Sequence, residues 1–295
     1  MTDRVSLQPL KDLSAAIGKL VAKTAPSLVA VHSWRSRASG FVWRPHLVVT
    51  ADESLADEGE ITVHLADGTS LPASLVGRDP STDVALLRVE RGDLSPVALE
   101  SPDIAAGAVA VVVAAEEDGP LAAFGIVSRA GGLWRSLRGG TIDARLELAV
   151  LLRRHGEGGL AIDAAGRAFG MAVFGPRRRV LVIPATTIER VAAQLEKHGR
   201  IARGYLGLGL QQVAISGGEG SGAMVISVDP QGPGAKAGVH QGDILLAWDG
   251  EPIRHVQKLL RALGSDSVGR TVTLALRRAG ETRQVSLVIT ERPAA

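Results

Sequence analysis

A chain of 295 residues is long enough for two domains with ordinary cores. Hydrophobic residues make up 45% and charged residues 22% with no low-complexity tract, which excludes a disordered chain. A formal charge of +2 and only 3% aromatic residues give no case for nucleic-acid binding, and the absence of cysteine excludes disulfides, thiolate metal sites and a thiol nucleophile. No window approaches 18 uninterrupted apolar residues, so no membrane span is expected. The start Met1-Thr2-Asp3-Arg4-Val5 is not followed by an apolar segment and a small-residue cleavage site. The expected compartment is cytoplasmic, or periplasmic or secreted if a signal or anchor segment is missing from this chain. Arg153-Arg154 and Arg177-Arg178-Arg179 read as solvated turns.

In chain order, Leu10, Leu13, Ile17, Leu20 and Val21 recur at helical spacing and predict one amphipathic helix over 10–23, ended by Thr24-Ala25-Pro26. Short β-rich runs follow at 27–34, 40–43, 47–50, 60–65 and 84–89, with Asp67-Gly68 as a two-residue hairpin signal. Further strands are predicted at 108–114, 124–128, 142–152, 168–174 and 179–183. So many short strands without interleaved helices indicate a barrel or sandwich. Ile188, Val191, Ala192 and Leu195 mark a helix over 187–198, stopped by Gly199. A new β-rich unit runs from Gly204 to about Glu291, with one helix over 256–263 carrying Val256, Leu259, Leu260 and Leu263. The division predicted is a helical arm over 1–25, a β-domain over 26–200 and a second domain over 201–295.

The second domain carries Arg203-Gly204-Tyr205-Leu206-Gly207-Leu208-Gly209-Leu210, then 222–228, Pro233-Gly234-Ala235-Lys236-Ala237-Gly238-Val239, Gly242-Asp243-Ile244-Leu245 and Asp249-Gly250. In this order and spacing the segments resemble a PDZ domain of the kind attached to HtrA proteases. In that family, backbone N–H groups of a Gly-containing loop cradle a peptide's terminal carboxylate while the peptide adds as a strand. The resemblance implies a cradle at Tyr205, Leu206, Gly207 and Leu208, with Val256 and Leu260 of the following helix beside the groove. The plain alternative is that Leu206, Leu208 and Leu210 are alternating core residues of a strand.

The first domain resembles the trypsin-like proteases of the HtrA group. The matching pieces are Ser39-Gly40-Phe41-Val42, Val48-Val49-Thr50, 77–87 with Asp79-Pro80-Ser81-Thr82-Asp83, Gly125-Ile126-Val127-Ser128 and Ile183-Pro184. The implied fold is mostly β: two six-stranded antiparallel barrels followed by the α+β PDZ domain. The family mechanism needs a serine, a histidine and an orienting aspartate. Asp83 matches the aspartate, but Glu53 stands at the histidine position and Glu157 at the serine position. His155 replaces the oxyanion-hole glycine, where its side chain is expected to burden the backbone. Glu116-Glu117-Asp118-Gly119-Pro120 replaces the family's loop before Gly125.

These departures imply a catalytically inactive HtrA-like pseudoprotease, with no catalytic residue set intact. It would bind protein C-termini or unfolded, extended peptides as a scaffold, chaperone-like or regulatory protein. No cofactor and no metal ligand are assigned. Two assemblies stay open: a homo-oligomer, trimeric through the N-terminal segment as the resemblance implies, and a mixed assembly with an active relative. The alternative is a serine-type endopeptidase homologue in protein quality control with residual or altered, metal-assisted hydrolysis at Glu53, Asp83 and Glu157.

Overall fold

A computed structural model describes residues 7–34, 36–215 and 220–293. The first six residues of the expected arm and the last two of the expected second domain lie outside them, as do Arg35 and residues 216–219. The chain divides into two compact units at Ile201/Ala202, with Arg135–Gly140 grouped with the second.

Helix α1 (Gln8–Thr24) opens the first unit with a proline in its first turn, where the missing N–H costs nothing. Ile17, Leu20 and Val21 pack against the core, whereas Leu10 and Leu13 of the same stripe are exposed. Strands β1 (Leu28–Ser33), β2 (Ser36–Arg44), β3 (Leu47–Thr50), β4 (Ile61–Leu65), β5 (Ser70–Asp79) and β6 (Val84–Val89) close into a barrel in the order β1-β2-β3-β6-β5-β4. A second barrel takes β7 (Val109–Glu116), β8 (Gly119–Gly131), β11 (Arg145–Ala149), β12 (Leu160–Asp163), β13 (Ala168–Phe174) and β14 (Val180–Pro184) in the order β11-β14-β13-β12-β7-β8. Between β8 and β11, β9 (Trp134–Arg135) and β10 (Thr141–Ile142) form a small ribbon. Helix α2 (Ala185–His198) follows, ended by Gly199 in the left-handed conformation.

The core explains why several strands read as unbroken apolar runs. In β6, Ala85, Leu87 and Val89 fill the first barrel, while Val84 and Leu86 face outward into a cluster shared with the second barrel and α2. Trp43, Val113, Leu160, Met171, Ile188 and Leu195 belong to that shared cluster. A strand covered on both faces has no polar side to display, so period-two alternation disappears.

Three expectations change. The hairpin β7–β8 is longer than the two strands predicted there, with Glu117 and Asp118 at its turn. The single strand expected over 142–152 is broken, because the Asp143 N–H donates to Thr187 Oγ1 at 3.0 Å and not to a neighbouring strand. Strand β12, only four residues long after Gly158-Gly159, carries no alternation and was not predicted.

The second unit pairs β15 (Gly204–Tyr205) with β22 (Thr290–Glu291). Its main sheet runs β16 (Leu208–Ala214), β17 (Ser221–Val228), β18 (Ile244–Trp248), β20 (Thr271–Arg278) and β21 (Glu281–Val288), with β19 (Glu251–Pro252) on β18. Helices α3 (Pro233–Lys236) and α4 (Val256–Ala262) complete it. Its core is its own: Leu206, Val225, Val239, Leu245, Leu259, Leu274 and Leu276 among others. Two antiparallel six-stranded barrels and a separate α+β unit are the architecture that the sequence led us to expect.

Candidate functional site

The Asp79–Asp83 loop is built by its own side chains. Asp79 Oδ1 accepts from the Ser81 N–H at 3.0 Å and Ser81 Oγ at 2.6 Å, and Asp79 Oδ2 accepts from Thr82 Oγ1 at 2.6 Å. This knot presents Asp83 with φ 59, a left-handed conformation that Asp and Asn tolerate better than most residues. The Glu53 N–H, in the single turn Asp52–Ser54, donates to Asp83 Oδ1 at 2.7 Å. Next to it, buried Asp52 accepts from Arg78 Nε, and Arg78 also reaches Asp57 at 3.0 Å.

Burial pushes the Asp83 carboxyl up to about 8; the Glu53 N–H opposes this, while the charges of Glu157, Glu53 and Asp52 add to it. The environment of Asp83 therefore favours the neutral acid over the carboxylate. A charged imidazole would favour its ionised form, but the groups that act on it most strongly are Glu53, Glu157 and Asp52.

Glu157 is 9% exposed, and its Oε1 accepts from the Phe174 N–H at 3.0 Å. Burial raises its carboxyl; the Phe174 N–H opposes that, Glu53 adds to it, and Arg154 and Arg178 counter it. Members of both arginine runs thus act on Glu157, though they lie on exposed turns as expected. The Glu53 side chain is exposed. The structure brings Asp83, Glu157 and Glu53 within electrostatic reach of one another, yet among the described residues these acids do not place three carboxylate oxygens within 4.8 Å of one another.

His155 lies in a single helical turn, Arg154–Gly156, and is not among the residues with left-handed backbone. The expected burden on its backbone does not arise, because the turn has a conformation that any residue takes. The consequence falls elsewhere. The Glu157 N–H donates back to the Arg154 carbonyl at 3.3 Å, inside the turn. An oxyanion hole needs its N–H donors aimed together at one open point. The His155 ring lies 3.0 Å from Glu116 Oε1 through Nδ1. Beside it runs a cleft of about 330 Å³ lined by His32, Arg37, Glu116, Glu117, Arg154 and His155.

One residue that sequence reading missed as a site determinant is Ser39. Fully buried, it receives the Ala115 N–H at 2.8 Å on Oγ, which lies 2.9 Å from the Ala115 carbonyl and 3.0 Å from the His155 carbonyl. Its own N–H donates to the Glu157 carbonyl at 2.7 Å. Gly158, at φ +86, fits against Ser39 so closely that a Cβ would lie 2.0 Å from its carbonyl oxygen. Both barrels and the 154–157 turn meet on this serine.

In the second unit, β16 is the end strand of the sheet and is paired on one side only, by β17, among the described residues. Gly207 has φ +71, and its carbonyl accepts from the Asp229 N–H at 2.8 Å. Tyr205 Oη donates to Asp229 Oδ2 at 2.9 Å. Leu206 is a core residue whose carbonyl accepts from the Gly234 N–H at 2.8 Å, whereas Leu208 is half-buried beside that core. On α4, Val256 is buried and Leu260 is 52% exposed. Gln212 of β16 accepts the Val256 N–H at 2.8 Å through Oε1 and donates to the Arg254 carbonyl at 3.0 Å through Nε2, fixing the start of α4 against the strand.

The profile of the trypsin-like peptidase domain matches residues 38–171, and that of the PDZ domain matches residues 204–289. A Bartonella henselae protein named "probable periplasmic serine endoprotease DegP-like" is 32% identical over 286 residues, covering 90% of this chain and 56% of the relative. The chain spans about half the length of the curated relatives it matches. The crystal structure of the serine endoprotease from Yersinia pestis is 26% identical, with a TM-score of 0.68, covering 94% of this chain and 98% of that one. The HtrA-type protease AlgW with a decapeptide shares the fold at a TM-score of 0.70 and 22% identity, over 95% of this chain and 99% of that one. The curated relatives are named periplasmic, which leaves the cytoplasmic expectation without support. Among the described residues no helix is long and apolar enough to cross a membrane. One trypsin-like peptidase domain followed by one PDZ domain makes this chain a homologue of the HtrA/DegP-type serine proteases.

Proposed function

We propose that this chain is a periplasmic HtrA-type pseudoprotease that binds protein C-termini or extended peptides through its PDZ domain and does not cleave them. The observation that carries the reading is the chemistry gathered around Asp83. The neighbouring positions that would supply a base and a nucleophile hold Glu53 and Glu157, in place of a histidine and a serine. A carboxylate at 157 would repel the negative charge that develops in acyl transfer, and its N–H is engaged within its own turn. The periplasmic compartment comes from the names of the relatives.

The rival is retained peptidase activity, favoured by relatives that are named serine endoproteases. Purified protein is incubated with an unfolded protein substrate and, separately, with a serine-directed fluorophosphonate probe. The expected result is neither cleavage nor labelling. Cleavage that disappears in Glu157→Ala overturns the proposal.

A further inference from the structure

Outside the triad-like positions, two histidines and a glutamate meet on the outer surface of the first barrel. Strands β1 and β4 pair antiparallel with Ala30 opposite His64 and His32 opposite Thr62. His32 and His64 therefore project from the same face as diagonal neighbours. Their ring centroids are 4.2 Å apart at an interplanar angle of 48°. Glu117 arrives from the second barrel, at the tip of the β7–β8 hairpin. Its Oε1 lies 3.0 Å from His32 Nδ1 and 4.0 Å from His64 Nε2. One ligand atom from each residue lies within 4.8 Å of the other two. Two ligand atoms bound to one zinc ion at tetrahedral angles lie roughly 3.4 Å apart, so the observed separations bracket what an ion requires.

A second contact orients the set. Ser70 Oγ lies 2.7 Å from His64 Nδ1. With the Nδ1 proton given to Ser70, His64 Nε2 carries its lone pair toward Glu117. Ligating histidines are commonly held by such a partner on the other ring nitrogen. The His32, His64 and Glu117 side chains are 21%, 22% and 41% exposed, so an ion could enter and a position would stay open to solvent. The 330 Å³ cleft that includes His32 and Glu117 adjoins a smaller one of about 160 Å³ that includes His64 and Glu117.

We propose that His32, His64 and Glu117 bind a divalent transition-metal ion, zinc foremost, which ties the β7–β8 hairpin of the second barrel to β1 and β4 of the first. Two imidazoles and one carboxylate form a three-ligand zinc set that leaves a fourth position open. Magnesium and calcium prefer all-oxygen sites, so this donor set disfavours both. A simple ion pair would account for His32 and Glu117 alone. It leaves unexplained why a second imidazole, steered by Ser70, faces the same carboxylate oxygen. The inference does not depend on whether the chain cleaves peptides.

The test uses the full metal-free chain, with zinc chloride titrated against a chromophoric chelator and thermal unfolding followed with and without zinc. One equivalent is expected to bind and to raise the unfolding temperature by mass action. Loss of an outer contact typically costs about 10- to 100-fold in metal affinity. Ser70→Ala is therefore expected to weaken binding by about that factor, and His32→Ala or His64→Ala by more. His198→Ala is expected to change nothing. If a histidine variant unfolds when metal-free, Glu117→Gln, on an exposed turn, gives the same reading. Absence of stoichiometric uptake overturns the proposal, as does uptake that survives both histidine variants.

Discussion

At the scale of single residues, Asp83 shows what happens to a buried acid when its partner is replaced. In a working triad the aspartate stays ionised because it holds an imidazole N–H. Here the Glu53 N–H donates in its place, and burial drives the carboxyl from 3.8 up to about 8. Across that window the folded chain keeps a proton that the unfolded chain has released, so raising the pH lowers stability, by at most about 1.4 kcal/mol per pH unit. Glu157 is shifted in the same direction and adds to the slope. Asp83→Asn removes this contribution while keeping an oxygen for the Glu53 N–H and a side chain that accepts φ > 0. The variant is expected to match the parent in thermal stability near pH 3, below the unfolded value of 3.8, and to exceed it increasingly as the pH rises toward 9. Parallel stability curves across pH would refute the assignment. The identities at 53, 83 and 157 were legible in sequence because each lies in a short local motif. The upward shift of Asp83 was not, because it depends on burial and on charges from two separate segments, the Asp52–Ser54 turn and Glu157.

Among elements, the 154–157 turn separates this site from a simple exchange of side chains. Its last N–H is engaged by the Arg154 carbonyl, while Ser39 and Gly158 lock it against β2 and β7. Side chains that recreate a triad would thus meet a turn shaped for another purpose. The double variant Glu53→His/Glu157→Ser is expected to react with a fluorophosphonate no faster than the unaltered chain. Rapid labelling would mean that the turn reshapes readily and that the side chains alone hold the site inactive. Strand and helix positions were largely readable: Ile188, Val191, Ala192 and Leu195 gave α2, and Asp67-Gly68 marked the β4–β5 turn. The four-residue β12 was invisible for lack of alternation. The His32–His64–Glu117 group was invisible because it needs the register of β1 on β4 and the approach of a hairpin from the other barrel.

Over the whole molecule, the two units have separate hydrophobic cores, so binding by the second does not require chemistry in the first. The proposed groove lies between α4 and the edge of β16 that has no strand partner among the described residues. It combines a backbone edge able to accept a strand with apolar surface at Leu208 and Leu260. Leu260 is the decisive position, since a leucine 52% exposed contributes little to the core and a change there should leave the fold intact. A free C-terminal peptide ending in an apolar residue is expected to bind the full chain, and its amidated form to bind far more weakly, because the N–H groups of the Gly207 loop would lose a carboxylate. Leu260→Asp is expected to weaken the free peptide by about tenfold, roughly 1.4 kcal/mol, the scale of a partly buried apolar side chain. Glu157→Ala should leave that affinity unchanged. Calorimetry on these four combinations decides the matter: equal affinity for the acid and the amide would leave the PDZ fold without its carboxylate cradle, and a loss on Glu157→Ala would move the binding surface into the barrels.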